Sequence, residues 1–474
     1  MINKHCNKNK KESLGIFVFG ATGDLAHKKL FPSLFNLYKN MMINHEIEIF
    51  AIGRKDFSDS SFNSTLRGYI KEALIHDHLK EEDLDKFFSK IHYINLDFQN
   101  LEDIKKLKGI YPNDCFSKIF YLAVPPISYK IISKNLEDSG LNKQCSDHNT
   151  FSRIVLEKPF GTDLKSAEDL NKTLVSGFSE KQIYRIDHYL GKEPVQNIFS
   201  FRFANNIFEN IWNNKYIDSI QIQLLEDIGI GERGAFYDAT GVIIDVFQNH
   251  ILQMLAILTM NKPKIFEEDR IRYEKNSLIS RILITDVIKG QYEGYREEQN
   301  VDPHSKRDTF VAMKLNIQSR RWDGVPIYIK TGKLLNIKKT IISVVFKNTK
   351  KELFKGQFKG DILSFIIQPD LGIKLNFAGK VPGMDYQITD IQMEYKYSDY
   401  FGELKSEYEK LLTDCILGNQ MNFTRTDEIE NSWRIVDKIE RNIKDREPLV
   451  YTKNSDGPKE ADDLIEKDHR SWIL

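Results

Sequence analysis

The sequence predicts an α/β Rossmann-type dinucleotide-binding domain followed by an α+β domain with a large, mainly antiparallel sheet. Three observations carry that expectation. Short apolar runs alternate with stretches of helical period through the first part of the chain, the pattern of a parallel sheet covered by helices. A glycine-bearing turn, Gly20-Ala21-Thr22-Gly23-Asp24-Leu25-Ala26-His27, joins the first apolar run to the first helical stretch. Beyond about residue 200 the runs lengthen, alternate in period two and lose most of their intervening helices, as in an antiparallel sheet.

Taken in order, the expected strands of the first part are Gly15–Phe19, Ile47–Ile52, Ile91–Leu96, Lys118–Val124 and Arg153–Leu156. Helices are expected over Lys28–Met42, where Leu30, Leu34, Leu37 and Met41 form one stripe, and over Ser61–Ile75 and Tyr129–Leu136. In the second part, Ser219–Leu225, Thr309–Ile317, Thr340–Phe346, Ile362–Ile367 and Ile373–Phe377 read as strands. Helices are expected at Gly241–Met260, Glu268–Ile284, Leu404–Leu417 and Thr426–Arg441. The division that follows is a disordered polar tail over 1–13, a nucleotide-binding domain over 14–187 and an α+β domain over 188–474.

Bulk properties narrow the function classes. Lys+Arg and Asp+Glu both total 68, so there is no net charge and no electrostatic case for a nucleic-acid partner. The four cysteines, Cys6, Cys115, Cys145 and Cys415, are scattered, which argues against a zinc site or disulfide framework and fits a reducing cytoplasm. No apolar run approaches the ~20 residues of a membrane span. The Lys-rich start before Leu14–Phe19 imitates a signal peptide, but Gly23-Asp24-Leu25-Ala26-His27 stands where a cleavage site belongs.

The loop and the strand after it speak to a cofactor. Gly20 permits a tight turn, Gly23 lets the backbone approach a pyrophosphate at the helix N-terminus, and Ala26 stands where a third glycine packs helix on sheet. An NAD enzyme ends its second strand with an acid for the ribose 2′-hydroxyl. Here the strand ends Gly53-Arg54-Lys55, and two cations suit the 2′-phosphate of NADP. Without the glycine loop, the same pair would read as solvated charges.

The densest chemistry lies in Arg185–Glu193. His188 and Lys192 are four apart and on a helix would face one way, suiting an anion of phosphate size. Asp187 would repel that anion, so its expected task is to orient a histidine elsewhere. Lys158, in Glu157-Lys158-Pro159-Phe160-Gly161, closes the fifth strand, where it can meet both the nicotinamide end of a cofactor and a substrate. His250 is the side chain suited to take a hydroxyl proton, although its apolar neighbours Leu252, Met254 and Leu255 equally fit a core histidine. Glu226 and Asp245 are candidate sugar-hydroxyl acceptors or plain surface and cap acids. Lys333 and Lys338 add cations reaching into a cleft or exposed on a loop.

These pieces together resemble the glucose-6-phosphate dehydrogenase family. The resemblance is carried by Gly20–Leu30 with Pro32, Tyr121–Pro126, Glu157–Gly161, Arg185–Glu193, Gly231–Leu255 and Arg320–Lys333, and by Tyr408–Gly418, Phe423–Glu430 and Trp433. It implies that Gly20–His27, Arg54 and Lys158 bind NADP, that His250 is the catalytic base and that Asp187 orients it. It further implies that His188, Tyr189 and Lys192 hold the sugar phosphate, while Lys158, Glu226, Asp245, Lys333 and Lys338 bind the rest of the substrate. The implied reaction oxidises C1 of glucose 6-phosphate to the lactone without a metal, in a cytoplasmic homodimer or homotetramer. Two departures stand out: Ile244 replaces an Arg common in relatives, and Lys338 keeps a charge where others carry the bidentate Arg fork.

Two rivals remain open on sequence. A two-domain sugar oxidoreductase with the same Glu-Lys-Pro motif would act on an unphosphorylated sugar and leave Arg185–Glu193 without a phosphate. A non-catalytic NADP-binding regulator would be marked by loss of His250 or Asp187, and both are present.

Overall fold

A computed structural model of the protein describes residues 12–43, 45–75, 79–110, 116–145, 150–348, 355–356, 358, 360–402 and 404–474. The chain forms two compact units. The first comprises Met1–Gly161, Lys165–Gly191 and Lys405–Thr426, and the second Thr162–Leu164, Lys192–Leu404 and Asp427–Leu474. This differs from the sequence division in three ways. The boundary expected after Asp187 falls after Gly191, Lys405–Thr426, expected in the second domain, folds with the first, and Thr162–Leu164, expected in the first, belongs to the second. Of the polar tail 1–13, residues 1–11 lie outside the described residues, while Glu12 and Ser13 already belong to a strand.

In the first unit six strands run β1 (Glu12–Phe19), β2 (His45–Gly53), β3 (Ile91–Asn95), β4 (Ser117–Leu122), β5 (Ser152–Leu156) and β6 (Ile183–Ile186). They lie in the order β3-β2-β1-β4-β5-β6 and pair in parallel throughout. The short strand Phe423–Thr424 closes the β6 edge antiparallel. Consecutive residues of β1, from Ile16 to Phe19, are all buried, as expected of a sheet covered on both faces. The sheet order reverses between β1 and β4, and such a switch point opens a crevice at the carboxyl ends of the strands.

The first helix departs from its expected span. Ala26–Leu30 is wound as a π-helix, and Phe31–Lys39 continues as an α-helix with Leu34, Phe35 and Leu37 buried. Met41, expected on the same stripe, has φ +49° and is exposed in the turn beyond.

The second unit is built on a ten-stranded sheet. Its strands are β7 (Ile217–Leu225), β8 (Ile282–Tyr292), β9 (Phe310–Ile317), β10 (Ile327–Gly332), β11 (Lys339–Phe346), β12 (Lys355–Gly356), β13 (Ile362–Gln368), β14 (Gly372–Lys380) and β15 (Gln387–Lys396), with Leu449–Tyr451 at one edge. The order is β12-β15-β14-β13-β11-β7-β10-β9-β8-(Leu449–Tyr451). Most pairs are antiparallel, but β7 and β10, β12 and β15, and β8 and Leu449–Tyr451 run parallel. The helix expected over Glu268–Ile284 stops at Ile279, and Ile282 opens β8 instead. The run Ile282-Leu283-Ile284-Thr285-Asp286-Val287-Ile288 is rich in β-branched residues, and pairing with β9 outweighs the helical spacing before it.

Two bulk expectations need correction. The helical stretch Gly231–Thr259 is long and apolar enough to cross a membrane by length and composition, and 89% of its apolar window is buried inside the protein, as in a core helix. Cys145 is disulfide-bonded, whereas Cys415 is buried and free. Spacing along a chain says nothing of which thiols meet in space.

Candidate active site

The glycine loop stands at the switch point of the first sheet. Gly20 has φ +81°, and a Cβ there would lie 2.4 Å from the carbonyl oxygen of Ala123, just beyond β4. Only glycine admits both the conformation and the approach. The N–H groups of Gly20 and Ala21 both donate to the Ile52 carbonyl at 3.0 Å, fastening the loop to the end of β2. Gly23 then turns back on Gly20, and His27 N–H donates to the Gly23 carbonyl at 3.1 Å as the helix begins. Ala21 and Ala26 are buried, Thr22, Gly23 and Leu25 half-buried, and Asp24 is exposed beside Lys28 at 3.4 Å. The His27 ring is buried and stacked on Tyr69 with centroids 4.7 Å apart, and burial depresses its pKa. It therefore packs against Tyr69 as a neutral ring at the start of the helix.

Arg54 and Lys55 are exposed directly after β2, with the Arg54 guanidinium 5.6 Å over the Phe98 ring. The Lys55 carbonyl accepts from the Tyr93 hydroxyl at 2.6 Å, which holds the pair in place. A glycine-turned loop at a helix start, with Arg54 and Lys55 exposed beyond the next strand and ahead of Asp56, is a place that could hold the phosphates of a dinucleotide.

At the end of β5, Glu157 is buried and Lys158 half-buried, and the Lys158–Pro159 peptide is cis. The Tyr121 hydroxyl donates to Glu157 Oε1 at 2.5 Å, and the Tyr129 hydroxyl to the Glu157 carbonyl at 2.9 Å. After β6 the chain turns sharply. Arg185 is fully buried and donates to Glu180 at 2.8 Å, Asn171 at 3.2 Å and Thr426 at 2.9 Å, so it anchors the motif without facing a ligand. Asp187 is 1% exposed, and its Oδ1 accepts from the Tyr189 N–H at 3.0 Å. Its carbonyl accepts from the Leu190 N–H at 2.9 Å. The His188 and Tyr189 rings stand 5.0 Å apart, His188 half-buried and Tyr189 buried.

This turn corrects the helical spacing expected of His188 and Lys192. His188–Gly191 is a 3-10 turn, and Lys192 is an extended N-cap (φ −70°, ψ 131°) before the helix Glu193–Ala204. Proline at 194 can only start a helix, and the residue before an N-terminal turn is left extended. The compact-unit boundary also falls here, with His188 and Tyr189 in the first unit and Lys192 in the second.

In the second unit the parallel register of β7 and β10 matches Leu225 with Gly332, so the residues that follow, Glu226 and Lys333, emerge side by side. Their charged groups meet at 2.6 Å, with Lys333 buried and Glu226 half-buried. The Lys333 ammonium also lies 5.2 Å over the ring of Tyr237. Tyr237 is fully buried, and burial, Asp245, Asp308 and Glu226 push its phenol well above the ordinary range. Lys338 is exposed in the loop before β11, apart from this pair in burial as in sequence.

Asp245 and His250 lie on a stretch the sequence had read as one regular helix. Gly241, with φ +65° and ψ −179°, breaks it from the turns before. The Asp308 carboxylate then accepts from the Ile243 N–H at 2.8 Å, capping the new start. Burial and Glu440 push Asp308 up to about 6, against the pull of Arg307 and of backbone N–H donors. Ile243–Ile251 is π-helical and Leu252–Thr259 α-helical. On an α-helix, residues five apart diverge by about 140°. Hydrogen bonds spanning five residues bring Asp245 and His250 toward one face. His250 is 3% exposed and Asp245 half-buried. Sequence reasoning gave no role to Glu157, Tyr237 or Asp308. Only Glu157 carried a signal, its place beside Lys158.

Comparisons with known proteins cover nearly the whole chain. The family model "Glucose-6-phosphate dehydrogenase, NAD binding domain" matches residues 17–197, and "Glucose-6-phosphate dehydrogenase, C-terminal domain" matches residues 199–473. The glucose-6-phosphate 1-dehydrogenase of Chlamydia pneumoniae is 39% identical over 495 residues, which cover 96% of this chain and 95% of that one. That of Bacillus subtilis is 38% identical, covering 98% and 99%. A solved glucose-6-phosphate dehydrogenase in complex with its substrate glucose-6-phosphate superposes with a TM-score of 0.89 at 32% identity, over 98% of this chain and 99% of that one.

Proposed function

The chain belongs to the glucose-6-phosphate dehydrogenase family, and we propose that this oxidoreductase converts D-glucose 6-phosphate to 6-phospho-D-glucono-1,5-lactone with NADP, the first step of the oxidative pentose phosphate pathway. The observation that carries the reading is a buried His250 on a π-helix that brings Asp245 toward the same face, a residue type suited to take a hydroxyl proton. His250 Nε2 or Nδ1 takes the C1 hydroxyl proton, and Asp187 is the carboxylate that orients the ring. A bound nicotinamide would supply the hydride acceptor for C1. Lys158 fixes the substrate hydroxyls against that ring.

Gly20–Leu25 and the helix start behind them bind the pyrophosphate, while Arg54 takes the 2′-phosphate. His188, Tyr189 and Lys192 hold the sugar phosphate. Glu226, Asp245, Lys333 and Lys338 bind the rest of the sugar. The Glu226–Lys333 pair presents a carboxylate with a fixed ammonium, an arrangement that binds a polyol without gaining net charge. Assembly as a homodimer or homotetramer in the cytoplasm completes the reading.

The test is substrate choice. Purified protein should reduce NADP with glucose 6-phosphate and barely with glucose, and Lys192→Ala should raise KM for glucose 6-phosphate by about 10–100-fold with a smaller change in kcat. Equal rates on the two sugars, or an unmoved KM, would favour the oxidoreductase of unphosphorylated sugars. Arg54→Ala should lower kcat/KM for NADP about tenfold or more while leaving NAD nearly unaffected. An unchanged NADP/NAD ratio would shift the 2′-phosphate contact to Lys55.

A further inference from the structure

Glu157 has no part in the chemistry assigned above, yet three tyrosines from three elements hold it. Tyr121 on β4 donates its hydroxyl to Oε1 at 2.5 Å. Tyr408, on the helix Glu407–Leu417, hydrogen-bonds the same carboxyl group. Tyr129, opening the helix Tyr129–Ser139, donates to the Glu157 main-chain carbonyl at 2.9 Å. The side chain is 8% exposed, and the next residue is Lys158. A buried carboxyl group ringed by phenols is a poor choice for stability alone, since apolar residues of the same volume would pack there without a desolvation cost. Its yield is a fixed geometry at one place, the carboxyl end of β5.

We propose that Glu157 is a positioning residue for Lys158: clamped by Tyr121 and Tyr408, it holds the main chain so that the Lys158 ammonium keeps its place during hydride transfer. The inference rests on the reading of Lys158 as the residue that meets substrate and nicotinamide. An error of about 1 Å in such a group is enough to slow a reaction a hundredfold. The clamp also ties Lys158 to the returning segment Lys405–Thr426, which supplies Tyr408.

The ionisation of the cluster gives it a signature. Burial pushes Glu157 from its ordinary 4.5 up to about 7, opposed by the hydroxyls of Tyr121 and Tyr408 and the charge of Lys158, and reinforced by Asp187. Tyr129 faces its main-chain carbonyl. Tyr121, Tyr129 and Tyr408 are all pushed above the ordinary phenol range by burial and by Glu157, so they remain hydroxyl donors. Because the folded pKa lies above the unfolded one, the stability Glu157 contributes is complete below about 4.5 and is lost as pH rises through about 7. Relative to Glu157→Gln, the wild type should lose stability across that window.

Kinetics decide the role. Glu157→Leu should lower kcat about a hundredfold while KM for glucose 6-phosphate moves less than about threefold, and Glu157→Gln should recover about tenfold of that loss. Tyr408→Phe, which keeps the volume, should cost kcat about three- to tenfold. In each variant the isotope effect on kcat with C1-deuterated substrate should rise, because the hydride step has become slower. Folded Glu157→Gln and Tyr408→Phe with wild-type kcat and isotope effect would overturn the proposal, and these two variants decide if Glu157→Leu does not fold. A fall in kcat that only follows lost folded protein, with the isotope effect unmoved, would also overturn it by making the role structural. Lys158→Ala separates the two layers. If it leaves turnover intact, the reading of Lys158 fails and the positioning role with it. If it abolishes turnover while the Glu157 and Tyr408 variants do not change it, the positioning role alone fails.

Discussion

His250→Asn lowers kcat by about 10³-fold or more, roughly 4 kcal/mol of transition-state stabilisation, while KM for glucose 6-phosphate stays within a few-fold. The imidazole is 3% exposed on the π-helical stretch Ile243–Ile251, with its N–H backbone donor held by the Asn249 side chain at 2.6 Å. Asparagine replaces the imidazole with an amide that cannot take a proton near neutrality, at similar side-chain volume. Steady-state kinetics on the folded variant check it, with circular dichroism to confirm that the helix persists. A kcat within tenfold of wild type would mean that His250 is the core histidine its neighbours equally suit.

Gly241→Ala costs about 3 kcal/mol or more of stability and lowers turnover with it. The φ of +65° with ψ of −179° belongs to a region that only glycine occupies freely. A Cβ would meet Arg307 Cδ at 2.5 Å and Asp308 Oδ1 at 2.6 Å, and Asp308 is the residue that caps Ile243. The chain cannot relieve that clash without shifting the helix start that carries Asp245 and His250. Chemical denaturation should show an earlier midpoint, and kcat should fall more than KM rises. A midpoint equal to the wild type would contradict the assigned backbone conformation.

What the sequence revealed and what it hid divide along physical lines. Period-two and helical patterning exposed β1 to β5, the glycine loop and most of the second sheet, because each is written in adjacent residues. Arg54 and Lys55 were legible for the same reason. The π-helical winding was not, since it begins where the Asp308 carboxylate, far downstream of Gly241, accepts from the Ile243 N–H. The Lys192 spacing failed because Pro194 and the 3-10 turn reset the phase of the helix, a local conflict that spacing alone cannot arbitrate. The helix drawn through Ile284 lost to sheet pairing with β9, a partner distant in sequence. The phenols around Glu157 come from three separate elements, so nothing in the Glu-Lys-Pro motif itself announces them.

The first unit is closed by a segment made late. Lys405–Thr426 supplies the edge strand beside β6, the Thr426 hydroxyl bonded to Arg185 and the Tyr408 that grips Glu157. On the ribosome, the nascent amino-terminal portion must therefore wait while residues 192–404 emerge, about 10–40 seconds at ordinary elongation speeds. During that interval β6 has an open edge and Arg185 is without its Thr426 contact, holding only Glu180 and Asn171. Translation speed through the inserted segment thus sets how long this portion depends on chaperones, and a slow-codon stretch placed before 405 would lengthen that exposure without changing the finished protein.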